Sequence, residues 1–253
     1  HYGFSLAGFG MIIGLMTFLA GTKYLGNVGQ VPQPTNKTKL HNNTAAGKHF
    51  TQEEKDRLLV LFVSFVAIFA FFTAFEQAGG SMSLYTQKHT NRSIWGWEVP
   101  ASIFQSLNPG FVILLGPLVA FVWSELTQLY KYISPIQKMG VGNIIVGVGC
   151  LFMMGAILEH QSSPTGHSSL HWIMAVYLFH TIGELCLSPV ALSFITKVAP
   201  ERIKSLMMGT YFFAIGIASW LAGQIGALDY TTAFTTLVYL TTLLGLLFMA
   251  FNA

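Results

Sequence analysis

GELCLSPVAL, residues 183–192, is an apolar stretch that is interrupted by one glutamate and one proline. Glu184 places a carboxylate where little water can hydrate it, and Pro189 removes one backbone hydrogen bond from a helix. Both residues are costly in a hydrophobic environment. We therefore expect the carboxylate to face a cavity or a cationic partner, or to take up a proton, and the rest of the chain indicates which environment surrounds it.

The whole chain is unusually apolar. Of its 253 residues 53% are hydrophobic and only 9% are charged, whereas a soluble domain has roughly 25% charged residues. Lipid is therefore the natural solvent, and because helices satisfy their own backbone there, the composition predicts an all-α polytopic membrane protein. The net charge of +3 gives no indication of nucleic-acid binding. Cys150 and Cys186 lie in separate apolar segments and are interpreted as small buried residues, not as a disulfide.

Seven stretches approach the roughly 20 apolar residues that a helix needs to cross a bilayer. They are residues 3–22, 58–85, 100–124, 139–158, 169–197, 205–226 and 232–252. No signal peptide is visible, and the chain starts at His1, without an initiator Met, in an apolar stretch. We therefore expect a fragment of a larger membrane protein.

The longest polar segment, residues 23–57, is interpreted as a solvated linker. It ends in TQEEKDR, where Thr51 and Glu54 have the spacing of a capping box for the second helix. The positive-inside rule gives the orientation. Eleven of the 13 Lys and Arg residues lie in or beside the linker and residues 125–138 and 198–204, which predicts that the linker and the C-terminus are cytoplasmic.

Only two of the ten acidic residues lie inside the apolar stretches, namely Glu76 and Glu184. A charge at mid-bilayer costs about 2.5–3.5 kcal/mol on insertion scales. No Lys or Arg lies in the middle of the apolar spans to neutralise them, so desolvation favours the protonated carboxyl or a cation from elsewhere. The functional interpretation is a proton or substrate site. The alternative is a structural ion pair or a neutral acid hydrogen-bonded to a neighbouring helix.

The residues around Glu184 fit an opened helix. Ser188 follows four residues later on the same helical face. Pro189 cannot donate to the carbonyl of Leu185, so the helix can bend beside the carboxylate, and Gly183 lets another backbone approach closely. We predict a helix hinge at Gly183 and Pro189; a static kink is the alternative.

Other polar and aromatic residues in the spans are further candidates. Asn108, next to Gln105 and Pro109, is expensive in lipid and should face the protein interior, either as a substrate contact or as a bond between helices. Trp220 lies well inside its span with Phe213 seven residues earlier, which fits a pocket wall or core packing. Residues interpreted as interfacial anchors are Trp95, Trp97 and Trp123.

Signs of metal or enzyme chemistry are weak. His167 and His171 have i, i+4 spacing, but the pair alone gives little support for a metal site. The chain has no HExxH, Walker loop, GxSxG or CxxC motif. We therefore expect neither an enzyme nor a metal or organic cofactor.

Three stretches resemble the proton-dependent oligopeptide transporter family of the major facilitator superfamily. They are FEQAGGSMSLYT (75–86), VPASIFQSLNPGFVILLGPLVAFVW (99–123) and GELCLSPVALSFITKVAPERIKSLMMGTYFFAIGIASWLAG (183–223). In this resemblance residues 1–22 correspond to helix six, 23–57 to the cytoplasmic linker and 58–253 to the C-terminal six-helix bundle. Helices one to five, which form the partner bundle with basic residues, are missing. The two extra helices that many bacterial members carry between helices six and seven are missing as well.

The resemblance implies proton-coupled symport of di- and tripeptides, bound between two bundles. It implies that Glu184 meets the peptide amino group, that Asn108 contacts the peptide, and that Glu76 binds a coupling proton, a role that Glu184 can share. It also places three further residues at or near the pocket: Ser188, Trp220 and Phe72. Phe72 stands where many members have a tryptophan, so the indole donor is lost.

We therefore expect short peptides as substrates, protons as the coupling ion, and a bacterial inner or plasma membrane as the location. A family member that carries another small solute, such as an amino acid or a nitrate-like anion, is the alternative transporter. A non-transporting membrane scaffold is the alternative from a different class, but a scaffold has no need of Glu76, Glu184 and Asn108 in the membrane.

Overall fold

The computed structural model describes residues 2–25, 50–129 and 133–250, with side chains for residues 8–24 in the first range. The chain divides into two units, residues 1–50 and 51–253. In the first unit, α1 (Tyr2–Leu25) covers the predicted span 3–22. Its large apolar side chains, such as Phe9 and Met11, are exposed along the described part of the helix. A helix of this length measures about 36 Å, enough to cross a hydrocarbon core of about 30 Å.

The second unit contains seven α-helices in its described part. They are α2 (Gln52–Phe75), α3 (Ser81–His89), α4 (Leu107–Leu129), α5 (Pro135–Ser162), α6 (Leu170–Val198), α7 (Lys204–Gly226) and α8 (Tyr230–Ala250). Short 3₁₀ segments cover Glu76–Ala78, Ala101–Ser106 and Glu201–Ile203. The strands β1 (Ser93–Ile94) and β2 (Trp97–Glu98) pair as an antiparallel hairpin. Among the described residues six segments are long and apolar enough to cross a membrane, in agreement with the six spans predicted after residue 57.

One predicted span, 58–85, is not a continuous α-helix. Helix α2 ends at Phe75, and Gly79 and Gly80 donate their N–H groups to the carbonyls of Glu76 and Gln77 over 3.2 and 3.1 Å. These short-range bonds tighten the chain into a 3₁₀ turn before α3 begins at Ser81. The glycine pair, which favours irregular backbone over helix, is the sequence signal for this interruption.

The start of α2 confirms the predicted capping box. The N–H of Glu54 donates to Oγ1 of Thr51 over 3.2 Å, and the N–H of Thr51 donates to Oε2 of Glu54 over 3.0 Å. The same carboxylate oxygen pairs with Nη2 of Arg202 at 2.7 Å, in the 3₁₀ turn that precedes α7. One glutamate thus caps α2 and links its first turn to the start of α7.

Glycines allow α5 to lie close to two neighbouring helices. A Cβ built on Gly142 would be 3.0 Å from the carbonyl oxygen of Gly183 in α6, and one on Gly140 would be 2.9 Å from that of Gly245 in α8. Seven residues later in α5 the same two faces are repeated, at Gly149 against α6 and at Gly147 against α8. Small residues at this spacing permit the close backbone approach that stabilises helix pairs in membranes.

The interior of the second unit also holds the two cysteines and a polar bond between helices. Cys150 and Cys186 are free and buried, as predicted. Asn143, fully buried in α5, donates through Nδ2 to the carbonyl of Ala67 in α2 over 3.1 Å. These contacts fix α2 and α6 around α5, and α6 carries Glu184.

Candidate functional site

The structure brings two of the predicted site residues together. Nδ2 of Asn108, in the first turn of α4, donates to Oε2 of Glu184 in α6 over 2.9 Å. It also donates to Oγ1 of Thr181 over 3.2 Å. The Thr181 hydroxyl in turn donates to the carbonyl of Tyr177 over 2.8 Å. A chain of hydrogen bonds therefore joins α4 to one face of α6.

Local sequence places Asn108 at the beginning of its helix. The 3₁₀ segment Ala101–Ser106 ends just before it, and α4 starts at Leu107. Pro109 therefore falls in the first helical turn, where a missing N–H removes no helical hydrogen bond. Pro109 has no N–H to donate to the carbonyl of Gln105, and that carbonyl accepts the N–H of Leu107 instead. The proline inside α4 is Pro117.

Glu184 is half-buried and keeps one oxygen available. Among the described residues, Asn108 donates a hydrogen bond to Oε2 of Glu184. The three salt bridges in this part of the chain are formed by other glutamates. Oε1 has no donor in this part of the chain and is not among its buried unpaired atoms. A carboxylate with one bound and one accessible oxygen can accept a further donor, and a cationic donor forms the strongest such bond.

The other residues predicted on α6 occupy different surroundings. Gly183 is buried against α5, where a Cβ would lie 3.0 Å from the carbonyl oxygen of Gly142. Oγ of Ser188 is buried and has no hydrogen-bond partner among the described residues. Pro189 is exposed, and α6 is assigned as helical from Leu170 to Val198 across it. Whether the helix bends at Gly183 and Pro189 during function stays a prediction.

Glu76 lies at the interruption between α2 and α3 and lines a cavity of about 310 Å³. Its neighbours there belong to this interruption, to α3 and to the C-terminal part of α7 and the residue after it. Gln77 donates through Nε2 to the carbonyl of Ala222 over 2.9 Å and accepts the hydroxyl of Ser81 over 2.6 Å. The half-buried Glu76 carboxylate has no salt bridge or side-chain hydrogen bond in the described part of the chain, so neither kind of bond joins it to Glu184.

The two predicted aromatic residues differ in exposure. Phe72 is 8% exposed and packs with its ring centroid 5.4 Å from Phe71 and 6.5 Å from Tyr211. Trp220 is 65% exposed and shares a groove of about 470 Å³ with Phe213 and other residues of α7. Phe72 is therefore a buried contact between α2 and α7, whereas Trp220 has an open ring face that can contact a ligand or lipid.

Sequence reasoning missed two buried polar residues on α6. Thr181 is fully buried in the hydrogen-bond chain of Asn108 and Glu184. His180 is also buried, with Nε2 4.0 Å from Sγ of Cys150 and with Nδ1 unpaired in the described part of the chain. Their positions three and four residues before Glu184 were a usable signal, because such residues share a helical face.

His167, in the loop before α6, and His171, in the first turn of that helix, receive no further support as a metal site. His171 stacks beside Trp172 with ring centroids 4.9 Å apart. Across residues 2–25, 50–129 and 133–250 no group of three His, Cys, Asp or Glu side chains is arranged to bind a metal ion.

Comparisons with known sequences all indicate the same family. The sequence profile of the POT family matches residues 35–238. The peptide transporter YePEPT of Yersinia enterocolitica is 36% identical over 176 residues, which cover 70% of this chain and 34% of that protein. A di-/tripeptide transporter of Lactococcus lactis is 29% identical over 182 residues, covering 70% of this chain and 36% of that protein. The chain thus spans about a third of these two relatives.

Comparison with solved structures agrees. A crystal structure of a mutant peptide transporter POT in complex with alafosfalin superposes with a TM-score of 0.81 and 26% identity, covering 99% of this chain and 60% of that one. The predicted fold class, an all-α polytopic membrane protein with part of a major facilitator superfamily fold, is confirmed. Family profile, relatives and structure lead to one conclusion: the chain is an integral membrane segment that belongs to the POT family of transporters.

Proposed function

We propose that this chain is the C-terminal part of a symporter that carries di- and tripeptides across a membrane together with protons. One observation carries the proposal: Glu184, held by Asn108, keeps a carboxylate oxygen open in a membrane-spanning helix. Such a group is costly in lipid unless it serves a ligand or a proton. The names of the relatives, which include peptide transporters, supply the substrate class.

In this proposal the ammonium group of a peptide donates to Glu184. The N-terminus of a short peptide carries a positive charge and several N–H donors, and hydrogen bonds between charged partners are about twice as strong as neutral ones. Desolvation within the membrane strengthens that attraction. When no peptide is present, a basic side chain from outside the described residues or a proton would neutralise the carboxylate.

Glu76 is the proposed site of the coupling proton. It stands at the interruption between α2 and α3, beside a cavity and without a described cationic partner. A carboxyl in such a place can gain and lose a proton without breaking a described ion pair. Protons are then the coupling ion, no organic cofactor or metal is needed, and the protein acts as a transporter with no enzymatic activity.

We propose that an N-terminal bundle of the same transporter faces the described helices and completes the peptide site, together with Ser188, Phe72 and Trp220. The linker 23–57 and the C-terminus are proposed to lie in the cytoplasm because Lys and Arg concentrate on that side. A bacterial inner membrane is the proposed location, since the named relatives are bacterial.

Uptake by the complete transporter, reconstituted in liposomes with an imposed pH gradient, tests the function. Accumulation of a labelled dipeptide is expected for the wild type, and Glu184→Gln should abolish it. Glu125→Gln, which alters an exposed glutamate of α4, serves as the matched control and should transport normally. Accumulation of a labelled amino acid or of nitrate, without accumulation of the dipeptide, would favour another solute. No flux of any of these would favour a scaffold.

A further inference from the structure

We infer that Thr181 is a positioning residue that fixes the side-chain amide of Asn108, so that the site offers the Asn108 oxygen to the amino group of the substrate. This inference rests on the proposed function and deepens it, because it names a determinant of substrate recognition outside the predicted set. Thr181 is fully buried and so acts through Asn108, not by touching the substrate.

The hydrogen-bond directions around Asn108 are determined by its partners. Nδ2 carries two N–H groups, and they point to Oε2 of Glu184 at 2.9 Å and to Oγ1 of Thr181 at 3.2 Å. The single proton of Thr181 is already donated to the carbonyl of Tyr177. Towards Asn108 the hydroxyl can therefore act only as an acceptor.

This arrangement makes the amide orientation independent of the charge of Glu184. A protonated Glu184 could donate to Asn108 Oδ1 and would then tolerate a flipped amide. Thr181 would not, because a flip would bring Oδ1 against the hydroxyl oxygen, which has no proton to give in that direction. The threonine therefore keeps Nδ2 inward whether or not the carboxyl holds a proton.

The consequence for recognition concerns the two remaining oxygens. Oδ1 of Asn108 and Oε1 of Glu184 accept no hydrogen bond from the described residues, and neither is a buried unpaired atom there. With both N–H groups of the amide occupied, the pair presents acceptors only. Such a pair favours a primary ammonium, which has several donors, over an acylated or missing amino group.

Two substitutions separate the hydroxyl from the bulk of the side chain. Thr181→Val keeps the shape but removes the acceptor, and Thr181→Ser keeps the acceptor. Thr241→Val is the matched control, because Thr241 is also fully buried and donates to the carbonyl four residues earlier, Leu237, over 2.8 Å in α8. If Thr181→Val does not reach the membrane, Thr181→Ala removes the same acceptor without the extra methyl group.

The experiment measures dipeptide uptake by the complete transporter, with KM and maximal rate determined separately. We expect Thr181→Val to raise KM about 2- to 10-fold, the effect of one lost hydrogen bond, with a smaller change in maximal rate. Thr181→Ser and Thr241→Val should keep the wild-type KM. Thr181→Val should bind an N-acetylated dipeptide, measured as a competitor, as well as the wild type does. The variant should therefore discriminate less between free and blocked amino groups.

Failures of the inference and of the proposed function are distinguishable. A wild-type protein that neither binds nor moves dipeptides overturns the proposed function. A second outcome overturns only the role of Thr181. In that outcome the wild type transports normally, and the variants that lack the Thr181 hydroxyl keep the wild-type KM and the wild-type discrimination. Equal losses in Thr181→Val and Thr181→Ser, or in Thr241→Val, would assign the effect to packing and also overturn it.

Discussion

Gly183 packs directly against Gly142, since a Cβ on Gly183 would lie 3.0 Å from the carbonyl oxygen of Gly142. The contact lies one residue from Glu184, so it fixes the position of the carboxylate as well as the spacing of α5 and α6. Phe71 and Val146 are also within 3.4 Å of that Cβ position. A side chain here can be accommodated only if one helix shifts.

Gly183→Ala should therefore destabilise the protein, although the helix propensity of alanine is about 1 kcal/mol more favourable than that of glycine. Gly209→Ala in α7 is the control, because a Cβ there meets no atom within 4 Å and the helix propensity alone should act. Thermal unfolding in detergent should show a lower midpoint for Gly183→Ala and an equal or higher one for Gly209→Ala. An unchanged midpoint for Gly183→Ala would mean that the α5–α6 contact is looser than described.

Glu76 and Glu184 should respond differently to neutral replacement in the complete transporter. Glu76→Gln mimics a permanently protonated site, so proton-driven accumulation should vanish while peptide binding and exchange across the membrane are partly kept. Glu184→Gln should weaken binding itself by roughly 2–5 kcal/mol, the usual loss when one partner of a buried charged pair is removed. Binding by isothermal titration and uptake with and without a pH gradient measure the two effects.

The pH dependence of uptake gives a separate test of Glu76. A carboxylate that must take up a proton from outside is protonated more often as the outside pH falls, so wild-type uptake should rise on acidification. Glu76→Gln should lose most of this dependence. If the variant keeps the wild-type pH profile, the coupling proton belongs to Glu184 or to a residue outside the described chain.

Asp229, between α7 and α8, should make stability depend on pH. Its Oδ2 accepts the N–H of Thr232 over 2.9 Å, and this backbone hydrogen bond lowers the pKa of the carboxyl. Because the folded pKa is below the unfolded one, the ionised form stabilises the protein at neutral pH, and this contribution is lost as the pH falls through the folded value. Asn can cap a helix as well as Asp, so Asp229→Asn isolates the charge.

The unfolding midpoint of Asp229→Asn should accordingly be lower than that of the wild type at neutral pH. The difference should shrink below about pH 4, the range in which an ordinary Asp takes up its proton. A constant difference from neutral to acidic pH would show that the charge of Asp229 has no part in it.

Trp95 should lie in the lipid headgroup region. It is fully exposed at the tip of the β1–β2 hairpin, with φ of 52° followed by Gly96 with φ of 81°, and Trp favours the membrane interface. In bilayers with shallow brominated lipids, Trp95→Phe should remove part of the quenchable emission. Trp172→Phe is the control, because that indole donates to Glu159 and packs on Gly155. Quenching of Trp95 by aqueous iodide alone would contradict the interfacial position.

Several features were predictable from sequence because they depend on strong local physics. The spans follow from the length of apolar runs, the capping box from the spacing of Thr51 and Glu54, and the inward position of Asn108 from the cost of polar groups in lipid. That Asn108 bonds to Glu184 is seen only in the structure. The role proposed for Glu184 was suggested by its surroundings and made specific by the family resemblance.

Other features could not be derived in this way. The glycine pair after Gln77 was visible, but an apolar run gives no measure of whether one helix or two will form. Thr181 was missed because a threonine in a helix commonly donates to its own preceding turn, and sequence does not show whether its oxygen also accepts a distant partner. That contact exists only after α4 and α6 have packed.

The glycine contacts of α5 also divide the bundle mechanically. Close approach of α5 to α6 and α8 leaves these helices little room to slide, so they behave as one stiff block. Helix α4 has no buried residue in the described structure, and little packing within that structure resists its displacement. Asn108 is one polar link between α4 and the block, beside the Lys138 ammonium that lies over the ring of Trp123. A ligand that competes for Glu184 would therefore act where a movable helix meets a rigid part.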